Sequence, residues 1–274
     1  MSTDPRQVLA SLERGAHKRF GQHFLARPEI VERIVRAAGV QPGDRVIEVG
    51  PGLGILTEAL LRAQASVTAI ELDRDLLGHL AATVPDAKII PGDATTVDWA
   101  EICAGPGTKM VANLPYNVGT VILMNVARKP ALFSSATVML QAEVVDRLVA
   151  RAGDEAYGSL SVHLGVRADA RVVLNVPPSA FVPPPKVDSR VVRVDLFEAP
   201  DTGPAPADFF DRVVSAAFAQ RRKMLRNTLG GTYGRDRADA ALDAAGIPGS
   251  ERAERVDLAG FRALAGALFT SGGT

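Results

Sequence analysis

Asn113-Leu114-Pro115-Tyr116-Asn117 carries the most specific chemistry in this 274-residue chain. A side-chain carboxamide and, one residue on, a backbone carbonyl form two neighbouring acceptors, and Pro115 fixes the turn that presents both. An exocyclic amine on a nucleobase is a poor nucleophile because its lone pair is delocalised into the ring. Acceptors on both of its hydrogens favour a pyramidal nitrogen with a localised pair, and Asn113 Oδ1 and the Leu114 carbonyl can supply them. Tyr116 offers a face on which the base can stack, worth about 1–3 kcal/mol. The plainer alternative is an ordinary strand-to-helix turn. A base must leave its stack to reach such a pocket. Phe181, within Pro177–Phe181 (PPSAF), is the candidate second wall, or else a core phenylalanine pinned by its prolines.

A glycine turn lies upstream: Glu48-Val49-Gly50-Pro51-Gly52-Leu53-Gly54. Glycines after a strand and before a helix let the backbone approach a ligand and take positive φ. The spacing is GxGxG, not the GxGxxG of pyrophosphate-binding dinucleotide sites. Glu71, at the end of the next strand, suits the two hydroxyls of a ribose. Such an acid serves NAD and S-adenosylmethionine alike. Asp93 ends the third strand and can accept from an adenine amine or simply cap its turn. Glu48 either faces a ligand ammonium or orients the loop. Three acids around one crevice suit a cationic cofactor better than a pyrophosphate. The small polar-x-Pro-aromatic pattern at 113–116 is similar to that of methyltransferases acting on exocyclic amines. Direct transfer from a sulfonium would be governed by positioning and needs neither metal nor covalent intermediate.

The elements that must hold these residues alternate. Strands are predicted at 44–49, 66–72, 87–90, 109–114 and 136–141, with helices at 55–63, 73–83 and 117–128 between them. Alternation of this kind implies parallel βαβ units, an α/β doubly wound sheet of Rossmann-like type. Late strands are expected at 171–176 and 189–197, separated by a proline-rich segment, 177–185, that excludes helix and central strand. Beyond the linker-like 200–206 (PDTGPAP) only helices are expected, at 208–220, 222–229, 236–245 and 258–268. This places a domain boundary near 200, with a methyltransferase-type domain over 1–200 and a small all-helical domain over 201–274.

Composition narrows the class. Hydrophobic residues make up 47% and charged residues 23%, as in ordinary soluble globular proteins. One cysteine, Cys103, excludes an intramolecular disulfide and argues against a Cys-based metal site, which suits a reducing cytoplasm. The polar N-terminus lacks the apolar core of a signal peptide. The longest apolar runs are too short to span a bilayer. The net charge is zero, so global charge does not announce a nucleic-acid partner. Charge is uneven, however. Arg221, Arg222, Lys223 and Arg226 cluster without an acid, and Arg14, His17, Lys18 and Arg19 form a smaller group. Each group is read first as a solvated helix face.

Taken together, the sequence resembles the small-subunit (16S) ribosomal RNA adenine dimethyltransferase family along nearly its whole length. The resemblance runs through Lys18–Leu25 (KRFGQHFL), similar to the family's N-terminal cofactor-closing segment, and through 48–54, 71–73, 92–94 and 113–117. It continues in Gln141–Arg147 (QAEVVDR) and Tyr157–Ser161 (YGSLS). The most specific blocks are Val176–Ser189 (VPPSAFVPPPKVDS) and Phe218–Leu229 (FAQRRKMLRNTL). The resemblance implies S-adenosyl-L-methionine as cofactor, contacted by His23, Leu25, Gly50, Gly52, Glu71, Asp93, Ala94 and Asn113. It implies two adjacent adenosines near the 3′ end of small-subunit rRNA as substrate, each receiving two methyls, and a role in small-subunit biogenesis. It further implies a cytoplasmic monomer acting on an immature 30S particle. In this light Arg221, Arg222, Lys223 and Arg226 are expected to grip RNA. A large-subunit rRNA methyltransferase of the resistance type shares the Asn113–Tyr116 chemistry and is opposed only by the last two blocks. A dehydrogenase is disfavoured by the glycine spacing. A non-catalytic assembly factor is disfavoured by the intact motifs.

Overall fold

The computed structural model describes residue 8 and residues 23–103, 105–220 and 222–272. Its strands are β1 (Phe24–Leu25), β2 (Arg45–Val49), β3 (Ser66–Glu71), β4 (Lys88–Pro91), β5 (Thr108–Asn113), β6 (Phe133–Gln141), β7 (Ala168–Val176), β8 (Phe181–Val182) and β9 (Ser189–Leu196). The helices are α1 (Pro28–Ala37), α2 (Ile55–Arg62), α3 (Leu77–Thr83), α4 (Trp99–Ile102), α5 (Gly119–Ala127), α6 (Ala142–Val149) and α7 (Ser159–Gly165). Further on come α8 (Ala207–Ala217), α9 (Leu225–Tyr233), α10 (Arg235–Ala244) and α11 (Leu258–Thr270). Among the described residues no helix is long and apolar enough to cross a membrane.

Seven strands form one mixed sheet in the order β4-β3-β2-β5-β6-β9-β7. The first five are parallel, and β9 returns antiparallel to β6. Parallel strands covered on both faces read as apolar runs. In β2 only Arg45 is exposed, and in β6 Ala136–Leu140 is buried throughout. The order reverses between β2 and β5, and ligands of open α/β sheets bind beyond the carboxyl ends of strands at such a switch point.

Several local expectations shift. β6 begins at Phe133 because that ring is core and pairs with Thr108. The expected helix at 73–83 starts as a 3-10 turn, Arg74–Leu76, capped by the Asp73 carboxylate on the Asp75 amide. The expected helix at 117 starts two residues later, because the Val118 and Gly119 amides both close on the Pro115 carbonyl. Helices α1, α4, α6 and α7 have no counterpart among the expected elements; α4 and α7 are short, and α7 opens on Ser159 and ends on glycine. The proline-rich 177–185 stays out of the main sheet but supplies β8, which pairs with β1 in a separate two-stranded ribbon.

The chain divides into two compact units. One holds the described residues up to Val145 together with Ala170–Glu198. The other holds Asp146–Asp169 with the residues from Ala199 onward. The segment 146–169 therefore joins the helical unit rather than the first domain to which a single boundary near 200 assigns it. The physical reason is its core. Tyr157, Val162 and Val166 pack into one apolar cluster with Phe210, Val214, Leu225, Phe261 and Leu264. The Tyr157 hydroxyl donates to the Val256 carbonyl. Gly165 lacks a side chain where Leu258 Cδ1 stands 2.9 Å from an ideal Cβ. Arg167 donates through Nη2 to both oxygens of Asp211, which also meets His163.

Candidate active site

A cavity of about 340 Å³ opens where β2, β3, β4 and β5 end, within the size range of small-molecule sites. Its first wall is the glycine turn. Gly52 has φ +59°, and a Cβ there would meet the Phe24 ring at 3.0 Å, so strand β1 closes over the turn only because residue 52 has no side chain. Gly54 takes φ +84° at the cap of α2.

Glu71 braces that turn. One carboxylate oxygen accepts from the Gly52 amide at 3.2 Å and the other from the Asp73 amide at 2.7 Å. Burial pushes its pKa up, against the lowering effect of these amides. Glu48, 1% exposed, lies on the same wall. It accepts from the Thr57 hydroxyl at 2.6 Å, and burial together with the charge of Glu71 raises its pKa to about 8. Asp93 commits Oδ1 to the amide and hydroxyl of Thr95, at 2.8 and 2.7 Å. That is the capping alternative, and it leaves Oδ2 for a ligand. Leu72, 50% exposed, also lines the cavity beside Ala94. No sequence signal singled it out, because its exposure is visible only in the structure.

Asn113, Leu114, Pro115 and Tyr116 line the same cavity. The Asn113 amide nitrogen donates to the His23 carbonyl at 3.2 Å, leaving Oδ1 to accept. The turn into α5 is closed by the Pro115 carbonyl rather than by that of Leu114. Gly119 makes the turn possible: a Cβ there would stand 2.4 Å from Leu140 Cδ2 and 3.0 Å from Leu114 Cβ. The Tyr116 ring stacks on His23, with centroids 5.6 Å apart and planes at 27°.

The structure thus brings together His23, Leu25, Gly50, Gly52, Glu71, Asp93, Ala94 and Asn113 with Leu114–Tyr116 around one cavity. Phe181 is the exception. It pairs with Leu25 across the β1–β8 ribbon and is 2% exposed. Its ring joins a core cluster with Leu25, Leu174, Val176 and Val191 and does not line the cavity. The register directs it inward, and the aromatic neighbour of Tyr116 is His23 instead. Of the basic group, Arg222 and Lys223 are exposed. Arg226 does not stand open in the same way: it faces Asp239 at 3.5 Å and packs against Gly249. Arg221, Arg14, His17 and the segment 18–22 lie outside the described residues.

Sheet order and an antiparallel strand beside β6 place the chain among Rossmann-like, S-adenosylmethionine-dependent methyltransferases. It belongs to the ribosomal RNA adenine dimethylase family, whose profile, described as Ribosomal RNA adenine dimethylase, matches residues 14–265. Ribosomal RNA small subunit methyltransferase A of Phenylobacterium zucineum is 46% identical over 96% of this chain and 91% of its own. The protein of the same description from Syntrophotalea carbinolica is 46% identical over 90% and 95%. Among solved structures, the 23S rRNA methyltransferase ErmE superposes with a TM-score of 0.70 at 26% identity, over 90% of this chain and 99% of that one. A dimethyladenosine transferase from Plasmodium falciparum shares the fold, with a TM-score of 0.73 at 24% identity over 88% and 96%.

Proposed function

We propose that this enzyme dimethylates the exocyclic amines of two adjacent adenosines near the 3′ end of small-subunit rRNA. The observation that carries the reading is that Asn113 and Tyr116 line the same cavity as Glu48 and Glu71. Near-complete matches at 46% identity to small-subunit methyltransferases favour this substrate over a large-subunit one.

The cavity fits S-adenosylmethionine on the chemistry of its own groups. Glu48 is a buried carboxyl bonded to the Thr57 hydroxyl and close enough to Glu71 to feel its charge, and such a group becomes a stable anion when a cation arrives. Glu71 keeps acceptor capacity for ribose hydroxyls, Asp93 Oδ2 for an adenine amine, and Leu72 for apolar contact. Bound there, the cofactor supplies an electrophilic methyl group and leaves as the thioether. The chain's part is positioning. In the first transfer Asn113 Oδ1 and the Leu114 carbonyl hold the two amine hydrogens, and in the second one of them holds the hydrogen that remains; Tyr116 stacks on the flipped base, and each transfer releases one amine proton to water. Phe24 over Gly52 helps to exclude water from the cofactor side.

Arg222 and Lys223, with Arg221, contact the RNA backbone from the helical unit. The substrate is an immature small subunit in the cytoplasm, met by a single copy of the enzyme. Mass mapping of methylated adenosines in small-subunit RNA, with and without this protein, tests the whole reading. Two adjacent dimethyladenosines that appear only with the protein are expected. Methylation of large-subunit RNA, or none, sinks it.

A further inference from the structure

The Tyr116 hydroxyl lies 2.5 Å from Ser189 Oγ. Ser189 is 0% exposed and is the first residue of β9. It is tied into the sheet: Ser189 pairs with Gln141, the last residue of β6, and the Ala142 amide donates to the Asp188 carbonyl at 2.9 Å. β6 in turn pairs with β5, where Met139 stands opposite Asn113. The antiparallel return of β9 thus brings a hydroxyl to the end of the sheet where Asn113 sits. Tyr116 is held at both ends, by the Pro115 turn at its backbone and by Ser189 at its hydroxyl. Only spin about the long axis of the ring remains, and the His23 stack opposes it. Burial raises the Tyr116 pKa, so the phenol stays protonated and hydrogen bonding.

We propose that Ser189 is a positioning residue for methyl transfer, holding the Tyr116 ring so that a base stacked on it presents its amine to Asn113. The inference rests on the reading of Tyr116 as the stacking wall. Loss of one buried hydroxyl pair should misplace the base after binding, so kcat falls while KM for RNA holds.

The test is a double-mutant cycle on the full chain with small ribosomal subunits and labelled cofactor. Ser189→Ala and Tyr116→Phe should each lower kcat by about 2- to 12-fold, with KM for RNA and affinity for S-adenosylhomocysteine unchanged. The double variant should be no slower than the slower single one, because both remove the same bond. Additive losses, or a wild-type kcat in either single variant, overturn the inference. If Ser189→Ala melts early, Tyr116→Phe leaves β9 intact and decides alone by the same kcat and KM criterion. Tyr116→Ala checks the underlying reading. Wild-type turnover there removes the stacking role itself, whereas collapse there with wild-type Ser189→Ala removes only the role of Ser189.

Discussion

The side-chain amide of Asn113 is bonded to the backbone carbonyl of His23, 90 positions away in the chain, at 3.2 Å. The bond uses the donor end of the carboxamide on the protein and turns the acceptor end to the cavity. Asn113→Ala removes that acceptor, and a single preorganised hydrogen-bonding group at a reacting centre is worth roughly 100-fold or more in kcat. Asn113→Asp should fail as well, because its second oxygen would face the His23 carbonyl. Tyr116→Ala should likewise lose turnover. Binding to small-subunit RNA should survive in all three, since the phosphate backbone dominates it. Tritium transfer at saturating cofactor, with binding measured in parallel, is the assay. Wild-type transfer in these variants would reduce the pentapeptide to a structural turn.

Glu71 joins the turns after β2 and β3 through the amides of Gly52 and Asp73. Glu71→Ala should weaken S-adenosylhomocysteine binding by about 10- to 150-fold, the loss expected for charge-assisted bonds. The fold should persist, because neither turn is built from Glu71 alone. Calorimetric titration and a thermal melt read the two effects separately. Undiminished affinity would remove Glu71 from the cofactor site.

Burial pushes the Glu48 carboxyl from its ordinary 4.5 up to about 8. Its neutral form is the one the fold favours. Its stabilising contribution is therefore complete below pH 4.5 and is lost as pH rises through 8. Glu48→Gln cannot ionise, so the stability difference, variant minus wild type, should grow by a few kcal/mol between about pH 4.5 and 8.5. Urea unfolding of the two ligand-free proteins at both pH values measures it. A difference independent of pH would mean that Glu48 is already ionised in the empty cavity.

The basic group should divide. Arg222→Gln with Lys223→Gln should weaken RNA binding and flatten the slope of log affinity against log salt, by about 0.7–0.9 for each phosphate no longer neutralised. Arg226→Gln should instead lower thermal stability, because its partner is Asp239. Cofactor affinity should hold in every case. Salt titrations of RNA binding and melting curves distinguish the roles. An unchanged slope in the double variant would leave Arg222 and Lys223 as a solvated face.

Much of this site is legible in the sequence, because its chemistry is local. The glycine turn, Glu71, Asp93 and Asn113–Tyr116 each lie at or just beyond the carboxyl end of a strand, and parallel strands bring those ends to one edge whatever the rest of the chain does. The alternation of strands and helices therefore determined the fold class and the meeting of these residues around one cavity. Tertiary structure decided what depends on distant pairing. The register Leu25↔Phe181 sends Phe181 into the core, and a one-residue slip would have sent it the other way. The His23 carbonyl on Asn113, Ser189 on Tyr116, and Asp239 opposite Arg226 join residues that no short-range pattern relates. Residues 146–169 join the helical unit for the same reason: their apolar side chains are complementary to a core assembled from positions beyond 199. Spacing along a strand follows from covalent geometry, whereas the partner of a side chain across the fold follows from packing, which the whole chain settles at once.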